Sequence, residues 1–119
     1  MLIEQMFKNK ASQGGLMAKI YNKLVRNHIP EICKSNNQTA ITRVLNHDEY
    51  EKALNEKLLE EVNEYLAGED VTELADILEV VDAIAVSKGT SFDDILKIKQ
   101  KKADKNGKFD KKLFLIEVE

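Results

Sequence analysis

The chain has 119 residues, 43% of them hydrophobic, which supports one modest core and a single domain. Its net charge of −3, from 18 basic and 21 acidic side chains, disfavours a general nucleic-acid binder, which needs an excess of Lys and Arg. Only one proline and five glycines are present, too few for a loop-rich β-sandwich. No apolar run is long enough to span a membrane, and the single cysteine, Cys33, fits a reducing compartment. We therefore expect a cytoplasmic protein.

Residues 1–16 differ from the rest of the chain. They show no sustained periodicity, carry no apolar signal core and end in a flexible Ser-Gln-Gly-Gly sequence. Residues 13–16 can also be encoded by a bacterial ribosome-binding sequence placed just before the Met17 codon. Two interpretations stay open: Met17 is the natural start, or residues 1–16 are a genuine disordered tail. In both, 17–119 is the folded domain.

The remaining elements follow in chain order. Pro30 favours a short helix at 30–34, and a turn then leads into 39–45, which is either a short strand or an extended segment. Caps and hydrophobic periodicity predict three longer helices at 48–67, 71–88 and 92–105. The C-terminal segment, 109–118, favours a strand or an extended conformation, and its apolar side chains must pack against another surface. The predicted fold is an all-α antiparallel bundle with a short extended tail.

The first long helix carries two carboxylates on or beside its apolar side. At 100° per residue, Glu61 falls inside the apolar stripe and Glu64 lies on its edge, whereas Glu60 points to solvent. The stripe consists of Tyr50, Leu54, Leu58, Val62 and Tyr65.

The second long helix is apolar around almost its whole circumference, which predicts burial on most sides. Glu73 and Asp76 nevertheless bracket Val80 on one narrow face. Burying unpaired carboxylates costs several kcal/mol each. Because no Lys or Arg occurs between Lys57 and Lys88, local salt bridges are not expected to offset that cost.

Antiparallel packing of these two helices would place Glu61 and Glu64 opposite Glu73 and Asp76. Four carboxylates without a nearby His or Cys select a hard cation, Mg²⁺ or Mn²⁺ rather than Zn²⁺. The sequence therefore predicts a metal site with these four residues as ligands. Ordinary surface acids of an amphipathic helix are the simpler alternative.

Three sequence motifs resemble a known family. Residues 60–64 and 73–76 read E-E-x-x-E and E-x-x-D, similar to the metal motif of the all-α nucleoside triphosphate pyrophosphohydrolase superfamily, with a shorter spacer than in many members. Residues 21–32, YNKLVRNHIPEI, resemble the opening Y-N-K-L-V-R-D-K-I-P-E-I of a small MazG-like subfamily, with Asn27 for Asp and His28 for Lys. Residues 101–115 are similar to its basic end, with Gly107-Lys108-Phe109 for G-G-F.

The resemblance implies Mg²⁺-dependent hydrolysis of a nucleoside triphosphate, possibly non-canonical, to the monophosphate and pyrophosphate. It assigns the metal-ligand role to the four carboxylates already identified. Glu60 and Glu61 are the expected catalytic residues, with Glu60 supporting the metal site or orienting the attacking water. The expected phosphate-binding residues are Lys23 and Arg26, and more weakly Lys101 and Lys105.

Several alternatives stay open. Phosphoribosyl-ATP pyrophosphohydrolase, an enzyme of histidine biosynthesis, would use the same metal chemistry. A di-iron bundle needs Glu-x-x-His pairs, and neither His28 nor His47 has a Glu three residues before it. A non-catalytic helical nucleotide-binding or interaction module is the remaining class. In any of these, three long helices cannot cover the second one on all sides, so we expect a homodimer or higher homo-oligomer.

Overall fold

The structure is a computed structural model that describes residues 18–119 as four helices without strands. The predicted all-α fold is confirmed for this part of the chain. The expectations for residues 1–16 and for Met17 as the start lie outside the described residues.

The first helix, α1 (Ile29–Ser35), is short and has Pro30 in its first turn. Proline is tolerated there because the first N–H groups of a helix have no partner within the helix. Ile29 and Cys33, four residues apart, share one face and are both buried. This helix fixes the chain that leads from the basic motif of residues 21–26 to the longer helices.

The two central helices, α2 (His47–Gly68) and α3 (Val71–Ser87), form an antiparallel hairpin. Asn46 caps α2 in a capping box with Glu49, and Asp70 caps α3 by accepting a hydrogen bond from the backbone N–H of Thr72. Because only residues 69 and 70 separate the helices, the C-terminal half of α2 faces the N-terminal half of α3. These halves carry the predicted metal motif.

The turn between α2 and α3 places a residue other than glycine in the left-handed conformation. Gly68 is the last helical residue, and Glu69 follows it with φ 53°. The Glu69 N–H bonds to the carbonyl of Tyr65 and closes the helix.

The last helix, α4 (Phe92–Asn106), is capped by Ser91, whose hydroxyl accepts a hydrogen bond from the Asp94 N–H. Gly89, with φ 82°, makes the turn out of α3. α4 packs on α3 but has no fully buried residue.

The hydrophobic core of the described chain is small. Its fully buried apolar members are Ile29, Cys33, Leu54, Val80 and Ala85. Within this chain α3 is not covered on most sides, and it exposes Val71 at 76%, Leu78 at 52% and Val86 at 64%. The Cα radius of gyration, 18.6 Å, exceeds the value of about 13 Å for a compact domain of this length.

Two stretches outside the helices carry apolar residues. Residues 38–46 and 112–119 run without a helix, turn or bend, so 39–45 is extended rather than a strand. Within this chain the C-terminal tail does not pack, because Phe109 and Phe114 are 98% and 90% exposed. None of the described helices combines the length and apolar character needed to cross a membrane.

Candidate metal centre

Three glutamates converge where α2 and α3 face each other. Each of Glu61, Glu64 and Glu73 offers a carboxylate oxygen, and these three oxygens lie within 4.8 Å of one another. Glu61 and Glu64 are three residues apart and so share a face of α2, while Glu73 projects from the first turn of α3. The hairpin thus brings together three of the four predicted metal ligands.

The carboxylates of this cluster lack some of the hydrogen bonds that their oxygens could accept. Glu61 is only 5% exposed. One oxygen of each glutamate, the Oε2 atom, is buried and has no hydrogen-bond partner within residues 18–119. A buried polar atom without a partner costs about 1–3 kcal/mol, and more if it is charged. A divalent cation bound by the three carboxylates would remove that cost.

The cluster also perturbs the ionisation of its members. Burial raises the pKa of Glu61, and the charges of Glu64 and Asp76 raise it further, while Lys57 acts in the opposite direction. Burial likewise raises the pKa of Glu73, followed by its contact with the carboxyl of Asp76. Raised carboxyl pKa values show that negative charge is disfavoured here without a counterion.

Asp76, the fourth predicted ligand, is 7% exposed and lies beside the cluster with a partner of its own. The Arg26 guanidinium donates a hydrogen bond to Asp76 Oδ1 at 2.9 Å. The expectation concerned local salt bridges only, and this ion pair is not local. The basic partner comes from a segment 50 residues earlier in the chain, where helical periodicity carries no information.

Glu60 also differs from expectation, because it is half-buried rather than pointing to solvent. Its Oε1 accepts a hydrogen bond from Lys23 at 2.8 Å, and its Oε2 lies 3.4 Å from Lys57. Glu60 thus connects the basic motif of residues 21–26 to the acidic face of α2.

Lys57 is the residue that the sequence analysis missed. It is 9% exposed, and its ammonium lies 3.4 Å from both Glu60 Oε2 and Glu61 Oε1. Its position, three and four residues before these glutamates, places it on the same helix face and could have revealed it. A lysine buried to this degree needs charged partners, and here it has two.

The charges around the centre do not cancel. Five carboxylates and three basic side chains (Lys23, Arg26 and Lys57) leave a formal charge of two minus. One divalent cation would neutralise it. The carboxylates are Glu60, Glu61, Glu64, Glu73 and Asp76.

The other predicted phosphate-binding residues are not brought to the centre. Lys101 and Lys105 lie exposed on α4 and make no ion pair within residues 18–119. A shallow, open depression lies along one face of α2 beside the cluster. The depression is lined by Glu56, Leu59, Glu60, Asn63, Glu64 and Ala67.

No protein-family model, curated protein or solved structure matches this chain. The functional interpretation therefore depends on the geometry of the centre and on the motifs of the sequence itself.

Proposed function

We propose that this protein is a Mg²⁺-dependent nucleotide pyrophosphohydrolase, with Mn²⁺ as an alternative metal, that converts a nucleoside triphosphate to its monophosphate and pyrophosphate. The observation that carries the metal part is the convergence of Glu61, Glu64 and Glu73, each with a buried carboxylate oxygen that lacks a partner within residues 18–119. All-oxygen coordination by carboxylates suits Mg²⁺. The nucleotide part is supported by the motifs of residues 21–32 and 60–76.

In this proposal Glu61, Glu64 and Glu73 hold the metal, and Asp76 joins them when Arg26 releases it. Bound Mg²⁺ would polarise the phosphate oxygens and lower the pKa of an attacking water. Glu60, at the rim, is positioned to accept a proton from that water.

Lys23 and Arg26 supply the positive charge for the triphosphate. In the present structure they pair with Glu60 and Asp76, at 2.8 and 2.9 Å. Phosphate oxygens are strong acceptors for both side chains, and Arg26 offers bidentate geometry. Binding of the metal-bound nucleotide would therefore exchange two carboxylate partners for phosphate partners.

The test is pyrophosphate release over a panel of nucleotides that includes canonical triphosphates, oxidised triphosphates and phosphoribosyl-ATP. Activity should require Mg²⁺ and vanish in excess chelator. Phosphoribosyl-ATP as the preferred substrate would select the histidine-biosynthesis alternative. Full activity in chelator would overturn the metal centre, and Mg²⁺ binding without hydrolysis of any nucleotide would indicate a non-catalytic module.

The matched variant for this test is Glu73→Gln, which keeps the side-chain size and removes one charge. It should weaken Mg²⁺ binding at least tenfold by calorimetry and reduce turnover in parallel, because an amide oxygen is a weaker ligand for Mg²⁺. Glu79→Gln, exposed on the same helix, is the control and should leave both unchanged. Equal effects of the two substitutions would contradict the ligand assignment.

We also propose that the working form is a homodimer or a higher homo-oligomer. Apolar side chains of both central helices remain uncovered, including Leu59 and Leu66 at 62% and 63% exposure on α2. Monomeric proteins seldom expose apolar patches of this extent, whereas oligomer interfaces bury them.

A further inference from the structure

Two segments outside the helices expose large apolar side chains. In 39–45, Ile41 and Val44 are 95% and 97% exposed. In the C-terminal tail, residues 113–118, every apolar side chain is between 77% and 90% exposed. These are Leu113, Phe114, Leu115, Ile116 and Val118.

The backbones of both segments are unpaired as well. Within the described chain, no backbone hydrogen bond involves residues 39–45 or 113–119. Both segments run without a helix, turn or bend and are rich in Ile, Val, Thr and Phe, which favour strands. Each segment presents unpaired backbone N–H and C=O groups together with apolar side chains. This combination allows a strand from another chain to pair with it.

We infer that the C-terminal tail of one copy pairs, as an antiparallel β-strand, with residues 39–45 of a second copy of this chain. Within one protomer Ile41, Val44 and the apolar side chains of the tail all stay exposed, so neither segment covers the other. A twofold axis would make the pairing reciprocal, so that both exposed segments of each copy are covered by the other. The dimer would then contain two equivalent strand pairs.

Charge complementarity supports the tail as the occupant and favours an antiparallel direction. Lys111 and Lys112 immediately precede the tail, and Asp48, which has no ion pair within residues 18–119, follows soon after 39–45. Antiparallel pairing brings the two lysines toward Asp48. The neighbouring Glu49 already pairs with Arg43, at 2.8 Å, within its own chain.

The experiment uses disulfide formation between separately prepared proteins. Val44→Cys and Leu115→Cys proteins are mixed, allowed to exchange subunits and oxidised mildly, and the linked peptides are identified by mass spectrometry. The native Cys33 is 3% exposed and gives little background. The expected product is a disulfide that joins position 44 of one chain to position 115 of another, and its yield should not depend on chelator. Lys102→Cys, exposed on α4, replaces Val44→Cys as the control and should give no link.

Two cross-linking results would overturn the proposal. Links that join only position 115 of one chain to position 115 of another would show that tails pair with tails. If the mixture gives no link while a chain with both substitutions closes on itself, the segments pair within one protomer.

Removal of the tail gives a second measurement. Deletion of 113–119 should raise the dimer dissociation constant at least tenfold by light scattering, while Mg²⁺ binding by calorimetry stays unchanged, because the metal centre lies within one hairpin. An unchanged dissociation constant would refute the tail exchange. Failure of the proposed enzymatic function would appear separately, as absent pyrophosphate release from a protein that still cross-links.

Discussion

At Glu61 the chain buries a carboxylate of which only one oxygen has a partner. Lys57 lies 3.4 Å from Oε1, whereas Oε2 has no hydrogen-bond partner in the described part of the chain. If the ion pair were purely structural, hydrogen bonds to both oxygens, or replacement of the pair by apolar side chains, would make the protein more stable. The arrangement is costly for a metal-free protein and favourable for one that binds a cation, which is the pattern of a functional site.

A substitution at Lys57 can distinguish a role in orienting Glu60 and Glu61 from a purely electrostatic effect on the metal site. Lys57→Met removes a cation beside the centre, so Mg²⁺ should bind as tightly as before or more tightly. Turnover should nevertheless fall at least tenfold, because Glu60 and Glu61 lose the group that orients them, and metal-free stability should fall by about 2 kcal/mol. Calorimetry, steady-state kinetics and urea unfolding measure the three effects.

The control for Lys57 is Lys52→Met, exposed on the same helix, which should change none of these quantities. Weaker Mg²⁺ binding with normal turnover in Lys57→Met would contradict the positioning role. Asp76→Asn is a less clean variant, since it also removes the partner of Arg26 and so changes stability and ligand set together.

The raised pKa values of Glu61 and Glu73 predict an unusual pH dependence for the metal-free protein. Both lie above the ordinary value of 4.5, so the folded state binds more protons than the unfolded state between that value and the raised ones. The contribution of these two groups to the free energy of unfolding should be greatest near or below pH 4.5. It should fall as the pH rises through the pKa values that the groups have in the folded state. Thermal unfolding in chelator from pH 4.5 to 7.5 measures this.

Mg²⁺ should remove that decline near neutral pH, because it binds the deprotonated carboxylates. Glu61→Gln should flatten the decline without metal. Glu49 does not interfere, because its hydrogen bond with Arg43 lowers its pKa to about 2, and its contribution changes only below pH 4.5. Stability that rises steadily from pH 4.5 to 7.5 in chelator would count against the buried cluster.

At the scale of the helices, capping hydrogen bonds fix the residue at which a helix begins and therefore where its carboxylates lie. The Asn46 side chain accepts a hydrogen bond from the Glu49 N–H at 2.9 Å, and the Glu49 carboxylate accepts one from the Asn46 N–H at 3.2 Å. This capping box starts α2 at a defined residue. The centre lies 15 residues further along, about 22 Å by helix geometry.

We expect Asn46→Ala to reduce the free energy of unfolding by about 1 kcal/mol, the usual loss for an N-cap. The Mg²⁺ affinity at low temperature should be unchanged, because the cap is distant from the glutamates. Urea unfolding and calorimetry measure both. Asp48→Ala, in the same turn and exposed, should cost only a few tenths of a kcal/mol. If both variants lose the same stability, the capping box contributes little.

For the protein as a whole, the dominant feature is uncovered apolar surface. The radius of gyration of 18.6 Å reflects a hairpin with peripheral elements rather than a closed core. A chain of this size has little core to stabilise it alone. Association would bury α3, whose exposed face includes Leu74 and Leu78.

Mass action then predicts that the melting temperature rises with protein concentration. A tenfold dilution in the micromolar range should lower it by a few degrees, since a stability change of about 1.4 kcal/mol accompanies each tenfold change in binding. Leu78→Glu should abolish the concentration dependence and give a monomer by light scattering, whereas Asp93→Ala, on α4, should not. A concentration-independent melting temperature for a monomeric wild-type chain would refute oligomerisation.

The long helices and the facing carboxylates could be predicted from the sequence alone. Helix bounds follow from caps and from the 3.6-residue period, which are local, and the observed ends agree with the predicted ones to within one or two residues. The same periodicity placed Glu61 in the apolar stripe, and the short link placed Glu73 opposite it. The shape of the turn was less predictable, because Glu69 rather than Gly68 adopts the left-handed conformation.

The tertiary structure was needed to show which cations reach the centre and which surfaces stay open. Lys23 and Arg26 meet Glu60 and Asp76 across 37 and 50 residues of sequence. Such contacts depend on the path of the chain between helices, which no local period encodes. The sequence indicated that the other long helices could not cover all of α3, but only the tertiary structure shows which of its side chains stay exposed, among them Val71, Leu78 and Val86. An apolar pattern is the same whether a helix packs within its own chain or against a second copy, because it records only which face is apolar.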